Sequence, residues 1–573
     1  MQFNIEINDQ QVSAKRGETI KNVLDRIGIH VPTLCYMQGF SPTGGCRMCV
    51  VEVEGISELV PSCAHLVTEW MKIKTHSPRV IKARKVLVEL LLASHPDDCL
   101  YCERTGTCGL QDLAFEMNIT ERKHHIKRQQ IQVDKSCSSI IRDPAKCVLC
   151  GRCIRVCDEV IGVSAIDVVG RGSDSRIGTS YNRGLNVQTC VKCGQCIMVC
   201  PTAALSEKPG FQHVLDALNN PDLYPVVLFS PTIPASIAEA FNIKASRDIL
   251  NLLRAALKKM GFNQVFDASM AGDLAIMEEA AEFIDRFNKR ENLPMFTSCC
   301  PSWVRYVEEC RPRLLPNLST TGSPQQLMGR LTKNYITSSA SQKPENVFVV
   351  SVMPCTAKKH EAAGDRMKDG KSFNVDAVIT TRELVKMIKF LGIDISSLEP
   401  EPSDSAFSMR SSSGNLFGIS GGHLEGLMRT IHFMMTGVEM SSIKISELRG
   451  LKNKKEARVK AGKNLFNIAA VSGLANAKIL LDEIEAGRAD FQIVEVMACP
   501  NGCINGGGQT LGADEKELKI RMKALYDVDD EEIIKVAHKN PIIVDLYDKF
   551  LAKPGSGHNM ELLHVSRTST DGK

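Results

Sequence analysis

The chain has 573 residues, a formal net charge of +4, 43% hydrophobic and 24% charged residues, and 22 cysteines. That length exceeds one hydrophobic core, so about three to five domains of roughly 150 residues are expected. The near-neutral charge gives no reason to expect nucleic acid as a partner, and no apolar run of the roughly 18 residues needed to cross a bilayer occurs, so no membrane partner is expected either. The N-terminus alternates Phe3, Ile5 and Ile7 and turns at Gly17, without the basic start and apolar run of a signal peptide. A cytoplasmic location is therefore expected, and closely spaced cysteines there point to metal ligation rather than disulfides. Soft thiolates at this density favour iron-sulfur clusters or zinc.

Residues 1–79 read as a small β-rich module: strands FNIEIN and QVSAK, a helix over Thr19–Ile27 and a strand over Cys49–Val53. Cys35, Cys46 and Cys49 share one glycine-bearing loop, and Cys63 lies further on. The arrangement resembles the β-grasp plant-type ferredoxin module that holds a 2Fe-2S cluster, with a longer spacing between the first two cysteines than the plant type has. A structural zinc site is the competing reading. Residues 80–135 begin with a helix over about Arg79–Leu92, followed by His95, Cys99, Cys102 and Cys108. One histidine and three cysteines are a permissible zinc set, but the run resembles the segment in which FeFe hydrogenases and NADH dehydrogenases hold a 4Fe-4S cluster with one imidazole ligand. The basic run 121–130 is expected to be a solvated surface, with docking of an acidic electron carrier as the alternative.

Residues 136–208 carry two copies of C-x2-C-x2-C-x3-C: Cys147, Cys150, Cys153, Cys157 and Cys190, Cys193, Cys196, Cys200. This is the bacterial two-cluster ferredoxin pattern, in which the fourth cysteine of each copy ligates the other cluster. Cys147, Cys150, Cys153 and Cys200 are thus expected on one 4Fe-4S cluster, and Cys190, Cys193, Cys196 and Cys157 on a second. The first 205 residues read as a wire.

Residues 209–573 alternate apolar strands and amphipathic helices, which argues for α/β layers with largely parallel sheet. Three cysteine motifs fall in loops after such strands, where open α/β sheets place their sites: TSCCPSW at 297–303, MPCTAKK at 353–359 and MACPNGCINGGG at 497–508. In order and context they resemble the signatures of the FeFe (iron-only) hydrogenases, and with the N-terminal modules the similarity covers nearly the whole chain. The resemblance implies a multidomain α+β and α/β protein: a 2Fe-2S module, a one-histidine 4Fe-4S module, a two-cluster ferredoxin-like module and a two-lobed α/β catalytic domain.

It further implies that Cys300, Cys355, Cys499 and Cys503 hold an active-site 4Fe-4S cluster, with Cys503 bridging to a two-iron unit carrying carbonyl, cyanide and azadithiolate. Together with one 2Fe-2S and three accessory 4Fe-4S clusters, these are the expected cofactors. Cys299 resembles the family's proton donor. Glu279, Glu282 and Arg286, spaced i, i+3 and i+7, share one helix face; with Ser319 the two glutamates match the family's proton relay. Lys358 is expected to donate to a cyanide, and Ser230, Pro231, Ser323, Gln325, Met353, Pro354, Phe417 and Met497 to line the pocket. Ser230, Thr232, Ala357 and the loop Phe417–His423 depart from the commonest pattern, and His423 is expected to be a satisfied structural histidine, with an influence on the site's pH dependence as the alternative. Cys137 and Cys310 receive no role.

The activity implied is reversible reduction of protons to hydrogen, with ferredoxin or a similar carrier as electron partner and maturation proteins to insert the two-iron unit. An alternative is the catalytic subunit of an NAD(P)-linked or bifurcating complex, in which a separate flavin- and nicotinamide-binding subunit takes part, since this chain has no G-x-G-x-x-G in a strand-turn-helix context. A non-enzymatic iron-sulfur assembly factor is the remote alternative.

Overall fold

The computed structural model describes residues 2–124, 126, 132–244, 248–339, 342–364, 368–369, 372–403 and 407–566. Half of the basic run at 121–130 lies outside the described residues, and the docking-patch alternative with it. The chain divides into two compact units, one of 1–159, 164–188 and 199–206, the other of 160–163, 189–198 and 207–573. The sequence places 189–198 with the ferredoxin-like module; by its contacts this segment belongs to the second unit.

The first unit opens with a five-stranded sheet of β1 (Gln2–Ile7), β2 (Gln10–Lys15), β3 (Val50–Val53), β4 (Val60–Pro61) and β5 (Lys72–Lys74), in the order β2-β1-β5-β3-β4. Ile5, Ile7, Val51, Val53 and Ile73 turn inward onto α1 (Ile20–Arg26), which buries Ile20, Val23 and Leu24. The Thr19 side chain caps α1 by accepting from the Asn22 N–H, so the expected strands and helix are all present. A longer helix, α2 (Pro78–Ser94), starts with the Ser77 cap and a proline and ends at His95.

The second unit holds two four-stranded sheets. In one, β6 (Tyr224–Phe229), β7 (Gln264–Asp267), β9 (Val347–Met353) and β10 (Ala377–Thr380) run parallel in the order β7-β6-β9-β10. Val226, Val227, Leu228 and Phe229 are all fully buried, two in the core on one face and two in the core on the other. A parallel strand covered by helices on both sides reads as such a continuous apolar run. The second sheet orders β8 (Met295–Phe296), β13 (Ile493–Met497), β12 (Asn464–Ser472) and β11 (Lys454–Ala461), with β11 and β12 forming an antiparallel hairpin. The expected two-lobed α/β domain is thus two largely parallel sheets. The helix α4 (Ser269–Lys289) gives Met270, Ala271, Leu274 and Ala275 to one core and Ile276, Ala280 and Phe283 to another.

Several buried charges in this unit are paired. The helix α7 (Gly422–Thr436) carries Arg429, fully buried, whose guanidinium meets Glu425 and Asp529 and donates to the Lys535 carbonyl; Arg449 pairs with the same two carboxylates. Among the described residues no helix is long and apolar enough to cross a membrane. Replacing Arg429 by methionine strips a partner from two buried carboxylates, which is expected to cost about 3–5 kcal/mol. A lowered denaturant midpoint for the second unit is the expected readout, and an unchanged midpoint would show that Arg449 suffices.

Candidate active site

The loops that leave the C-terminal ends of β6, β8, β9 and β13 converge, as expected for a site in an α/β fold. They carry Ser230 and Pro231, Cys299 and Cys300, Pro354 and Cys355, and Cys499 and Cys503. These residues line one cavity, together with Gln325, Met353, Lys358, Phe417 and Met497. All four cysteines proposed for the active-site cluster therefore face one space. Cys300 caps the helix α5 (Pro301–Cys310), whose first residue is a proline. Ser323 is absent from the lining but reaches it indirectly, as described below.

The donor set has a clear electrostatic character. Burial, then the charges of neighbouring cysteines, push the thiol of Cys355 up to about 12 and raise those of Cys499 and Cys503 further. Four thiolates cannot coexist there unless something cationic sits among them. A metal cluster meets that requirement, and the set of four soft donors in an apolar enclosure fits an iron-sulfur group. Among the described residues no three histidine, cysteine or acidic side chains converge on a point that one ion could occupy; the sulfurs here line a cavity instead.

Lys358 is held by a residue that the sequence does not single out. Its Nζ lies 2.9 Å from Glu361 Oε2 and donates to the Cys299 carbonyl at 3.2 Å. Burial alone would lower the Lys358 pKa, but Glu361 outweighs it and holds the ammonium above its usual value. Ser323 Oγ and Gln325 Nε2 donate to the same Glu361 oxygen at 2.9 and 3.2 Å. Three of the expected pocket residues thus meet on one carboxylate, which ties the lysine to the backbone beside Cys300. Ser230 and Thr232, two of the departures, contact one another at 3.3 Å between hydroxyls.

On the far side of Cys299 the expected relay residues are all buried or nearly so. Glu282 accepts from Ser319 Oγ at 2.8 Å and from Thr320 N and Oγ1 at 3.0–3.1 Å, and pairs with Arg286 at 2.6 Å. Arg286 also donates to the carbonyls of Pro316 and Leu318, so Glu282 is locked in place. Thr320, not anticipated from the sequence, adds a further step to His564 at 2.8 Å.

His423 departs from its expected structural role. Its Nε2 lies 2.6 Å from Glu279 Oε2, as a charge contact rather than an aligned hydrogen bond, and neither atom has another hydrogen-bond partner. Its Nδ1 lies 3.6 Å from Cys299 Sγ, and its ring stacks on Phe417 with centroids 4.0 Å apart. Burial opposes the charged ring, yet Glu279 and then Glu495 keep its pKa above the usual value. Burial and the nearby Glu279 raise the Cys299 thiol well above its ordinary value. The turn before His423 depends on Gly421, at φ +88°, where a Cβ would sit 2.3 Å from the Leu448 carbonyl oxygen.

The accessory cysteines Cys190, Cys193 and Cys196 pack onto this same unit. Gln195 Nε2 donates to the Asn505 carbonyl at 2.8 Å, Thr356 Oγ1 to the Lys192 carbonyl at 2.8 Å, and Arg305 Nε to the Cys190 carbonyl at 2.9 Å. The approach is so close that a Cβ on Gly507 would lie 2.0 Å from the Cys193 carbonyl oxygen, which only glycine permits. Cys157, the expected fourth partner of these three, belongs to the first unit.

Within the first unit, Cys147, Cys150, Cys153 and Cys200 line one cavity of about 430 Å³, the grouping expected from the two-cluster pattern. Burial pushes the Cys150 thiol up to about 11. The sulfurs of Cys35, Cys46, Cys49 and Cys63 are close enough to hydrogen-bond, Cys35 with Cys46 and Cys63, and Cys49 with Cys63. His95 is buried at the end of α2, and the charges of Cys102 and Cys99 both act on Cys108.

Comparison with known proteins follows the same divisions. Residues 224–507 match the family described as iron only hydrogenase large subunit, C-terminal domain, and 515–568 match iron hydrogenase small subunit. Residues 1–78 match a 2Fe-2S iron-sulfur cluster binding domain, 84–123 the NADH-ubiquinone oxidoreductase-G iron-sulfur binding region, and 138–206 the ferredoxin-like domain of NADH-quinone oxidoreductase subunit 3. The chain is 39% identical to the NADP-reducing hydrogenase subunit HndD of Solidesulfovibrio fructosivorans, over 98% of each chain. It is 36% identical to iron hydrogenase 1 of Clostridium pasteurianum, over 97% of this chain and 98% of that one. The solved apo FeFe hydrogenase HydA1 of Chlamydomonas reinhardtii superposes with a TM-score of 0.57 at 32% identity, over 63% of this chain and 99% of the other.

The ties from Glu361 generate a measurable expectation. Groups that orient a metal site from behind typically matter about 10–100-fold in metal affinity. Glu361→Gln is expected to lower iron retention at this cavity by that factor, read as iron per chain after anaerobic dialysis against a chelator. Retention equal to the parent protein would show that Lys358 holds its position without Glu361.

Proposed function

The chain belongs to the FeFe (iron-only) hydrogenase family, and on that premise we propose that it reversibly reduces protons to hydrogen at the cavity between the loops after β6, β8, β9 and β13. The observation that carries this reading is the convergence of Cys299, Cys300, Cys355, Lys358, Cys499 and Cys503 on one enclosed space. Cys300, Cys355, Cys499 and Cys503 would hold a 4Fe-4S cluster, with Cys503 shared with a two-iron unit. When bound, that unit would supply an open iron position and a bridging amine for the interconversion of protons, electrons and hydrogen.

The chain's own residues have three tasks. Lys358, kept charged by Glu361, presents an ammonium to the cavity as a point charge suited to an anionic cyanide nitrogen. Met353, Met497, Pro354 and Phe417 wall the space with groups that do not exchange protons, so protons must arrive by a defined route. That route runs from Glu282 and Ser319 to Glu279 and on to Cys299, with Arg286 holding Glu282 at its outer end. Burial and the nearby Glu279 raise the Cys299 thiol, which favours its protonated form, the form a donor to the cavity needs.

Electrons would enter through the N-terminal clusters: a 2Fe-2S cluster on Cys35, Cys46, Cys49 and Cys63, a 4Fe-4S cluster on His95, Cys99, Cys102 and Cys108, and two on the ferredoxin-like cysteines. The packing of the Cys190–Cys196 turn against the Asn505–Gly507 loop supports that order, since it joins accessory and active-site cysteines through protein alone. Ferredoxin or a similar carrier is the proposed electron partner, with maturation proteins installing the two-iron unit. A second reading has a specific observation behind it: the 39% identity, over nearly the full length of both chains, to an NADP-reducing hydrogenase subunit. In that case the electrons come from a separate flavin- and nicotinamide-binding subunit.

Anaerobically matured protein is expected to show infrared cyanide and carbonyl bands and to evolve hydrogen from reduced ferredoxin. Full accessory clusters without those bands would sink the hydrogenase reading in favour of cluster transfer. Turnover with NADPH only when a copurifying flavoprotein is present would assign the chain to a multi-subunit enzyme. A companion expectation concerns Cys299→Ala: hydrogen turnover falls by about 10²-fold or more while the infrared bands persist.

A further inference from the structure

The carboxylate at the outer end of the proposed proton route is also reached from a side that the route does not use. Glu282 Oε1 accepts from Thr320 Oγ1 at 3.1 Å, and the same hydroxyl lies 2.8 Å from His564 Nδ1. The other ring nitrogen, Nε2, lies 3.1 Å from Oε2 of Glu278, a fully buried carboxylate to which the route gives no task. We infer that His564 is a positioning residue for Glu282: with a hydrogen on both ring nitrogens it directs the Thr320 hydroxyl at Glu282, and on losing one it draws that hydroxyl away. This inference rests on the reading of Glu282 as a member of the proton route.

A threonine hydroxyl has one hydrogen to give, and a carboxylate has none. Glu278 accepts from Tyr547 Oη at 2.7 Å, Asn559 Nδ2 at 2.8 Å and the Gly555 N–H at 2.8 Å, so the hydrogen between Glu278 and the ring lies on Nε2. Burial and then Glu278 raise the Tyr547 phenol well above its ordinary value, which keeps that hydroxyl a donor. Only a ring that also carries a hydrogen on Nδ1 lets Thr320 accept from it and still donate to Glu282. A neutral ring bonded to Glu278 has a bare Nδ1, which competes with Glu282 for the one hydrogen of Thr320. The hydroxyl answers by rotating, and the only bond broken is the N–H whose proton goes to the medium, as an equilibrium with pH and not as a step of turnover.

Backbone pairing holds the ring in this place. The Val565 N–H donates to the Thr320 carbonyl at 2.7 Å and the Gly322 N–H to the Leu563 carbonyl at 2.8 Å, which sets His564 opposite Thr321 in an antiparallel bridge. Glu278 secures the preceding turn through Gly555 and Asn559, whose side chain also donates to the Ala552 and Lys553 carbonyls at 3.1 Å. Glu278 and Glu282 stand one turn apart on α4, so one carboxylate anchors the C-terminal segment and the other feels the state of its histidine. The charged and titratable groups around the ring are Glu278, then Glu282 with its partner Arg286 beyond Thr320, and Tyr547 of the helix Pro541–Lys549 beyond Glu278. Arg330 of the helix Pro324–Ser339 donates to the Glu561 and Leu562 carbonyls just before it.

The test uses the full, anaerobically matured chain with His564→Leu, Thr320→Val and Glu282→Gln, each with iron content equal to wild type as the check on folding. Infrared spectra across pH give the carboxylate stretch of Glu282 as the band missing from Glu282→Gln. While that group remains ionised, its band is expected to move between acid and alkaline pH in wild type and to stay fixed in both His564→Leu and Thr320→Val. The pH profile of hydrogen turnover is expected to carry an inflection at the same pH, about 10-fold in size, the equilibrium factor of one hydrogen bond to a charged group, and both variants are expected to lack it. A wild-type band that does not move, or a movement that persists in His564→Leu, would overturn the inference. Equal pH profiles in wild type and both variants, with Glu282→Gln slow, would overturn it too, leaving His564 as a packing residue. If Glu282→Gln turns over like wild type, it is the route through Glu282 that fails, and the role of His564 in the reaction falls with it whatever the band does.

Discussion

The constraint on which the second unit depends is the cost of placing several thiolates together away from water. Each of Cys300, Cys355, Cys499 and Cys503 has its thiol pKa raised by burial, and in Cys355, Cys499 and Cys503 by its neighbours' charges as well. Such a set is stable as neutral thiols, or as thiolates around a cationic group, and it is poorly suited to anything between. The fold meets this by drawing the cysteines from three loops at the C-terminal ends of strands in two different sheets. Their separation in sequence then costs nothing in reach, because rigid strands fix each loop's origin.

Several buried charges around the cavity meet a charge of opposite sign. Lys358 meets Glu361, Arg286 meets Glu282, Arg429 meets Glu425 and Asp529, and His423 meets Glu279. Several of these pairs also hold backbone. Lys358 takes the Cys299 carbonyl, Arg286 takes two carbonyls in the 316–318 turn, and Glu495 takes two N–H groups of the turn before α7. Charged side chains thus fix both the loop that carries Cys299 and the turn that carries His423.

Much of this was legible in the sequence because cysteine chemistry is spaced locally. The repeat at 147–157 and 190–200 implied that Cys200 joins the first copy's cysteines, and those four do line one cavity. The apolar run at Val226–Phe229 and the alternation at Phe3–Ile7 gave the right strands, since parallel and half-buried strands differ in their period. What was not legible depended on long-range contact. Glu361 is one of many surface-patterned glutamates until the fold brings Ser323, Gln325 and Lys358 to it. The segment 189–198 reads as part of a ferredoxin repeat, yet Thr356 and Arg305 donate to its Lys192 and Cys190 carbonyls and its Gln195 side chain donates to the Asn505 carbonyl, across 164, 115 and 310 positions of chain. His423 was visible as a departure, but nothing in its neighbours along the chain indicated that both ring nitrogens would face relay residues.

The helix α4 shows how one local regularity organises function across the unit. Spacing of three and four residues puts Glu279, Glu282 and Arg286 on one face, which periodicity alone makes a solvated stripe more often than a buried one. Here the stripe is covered by the 318–320 strand-like turn and by α7, so Glu282 is capped by Ser319, Thr320 and Arg286 while Glu279 is left facing a histidine. The two carboxylates, one turn apart, are therefore unequal: the outer one is saturated by donors and the inner one has its Oε2 met by His423 alone. Glu282 is thus held firmly by several donors, while the shown contact of Glu279 is with one side chain of a different helix. That asymmetry is produced by which elements cover each turn of a single helix, a long-range outcome that the three- and four-residue spacing alone does not contain.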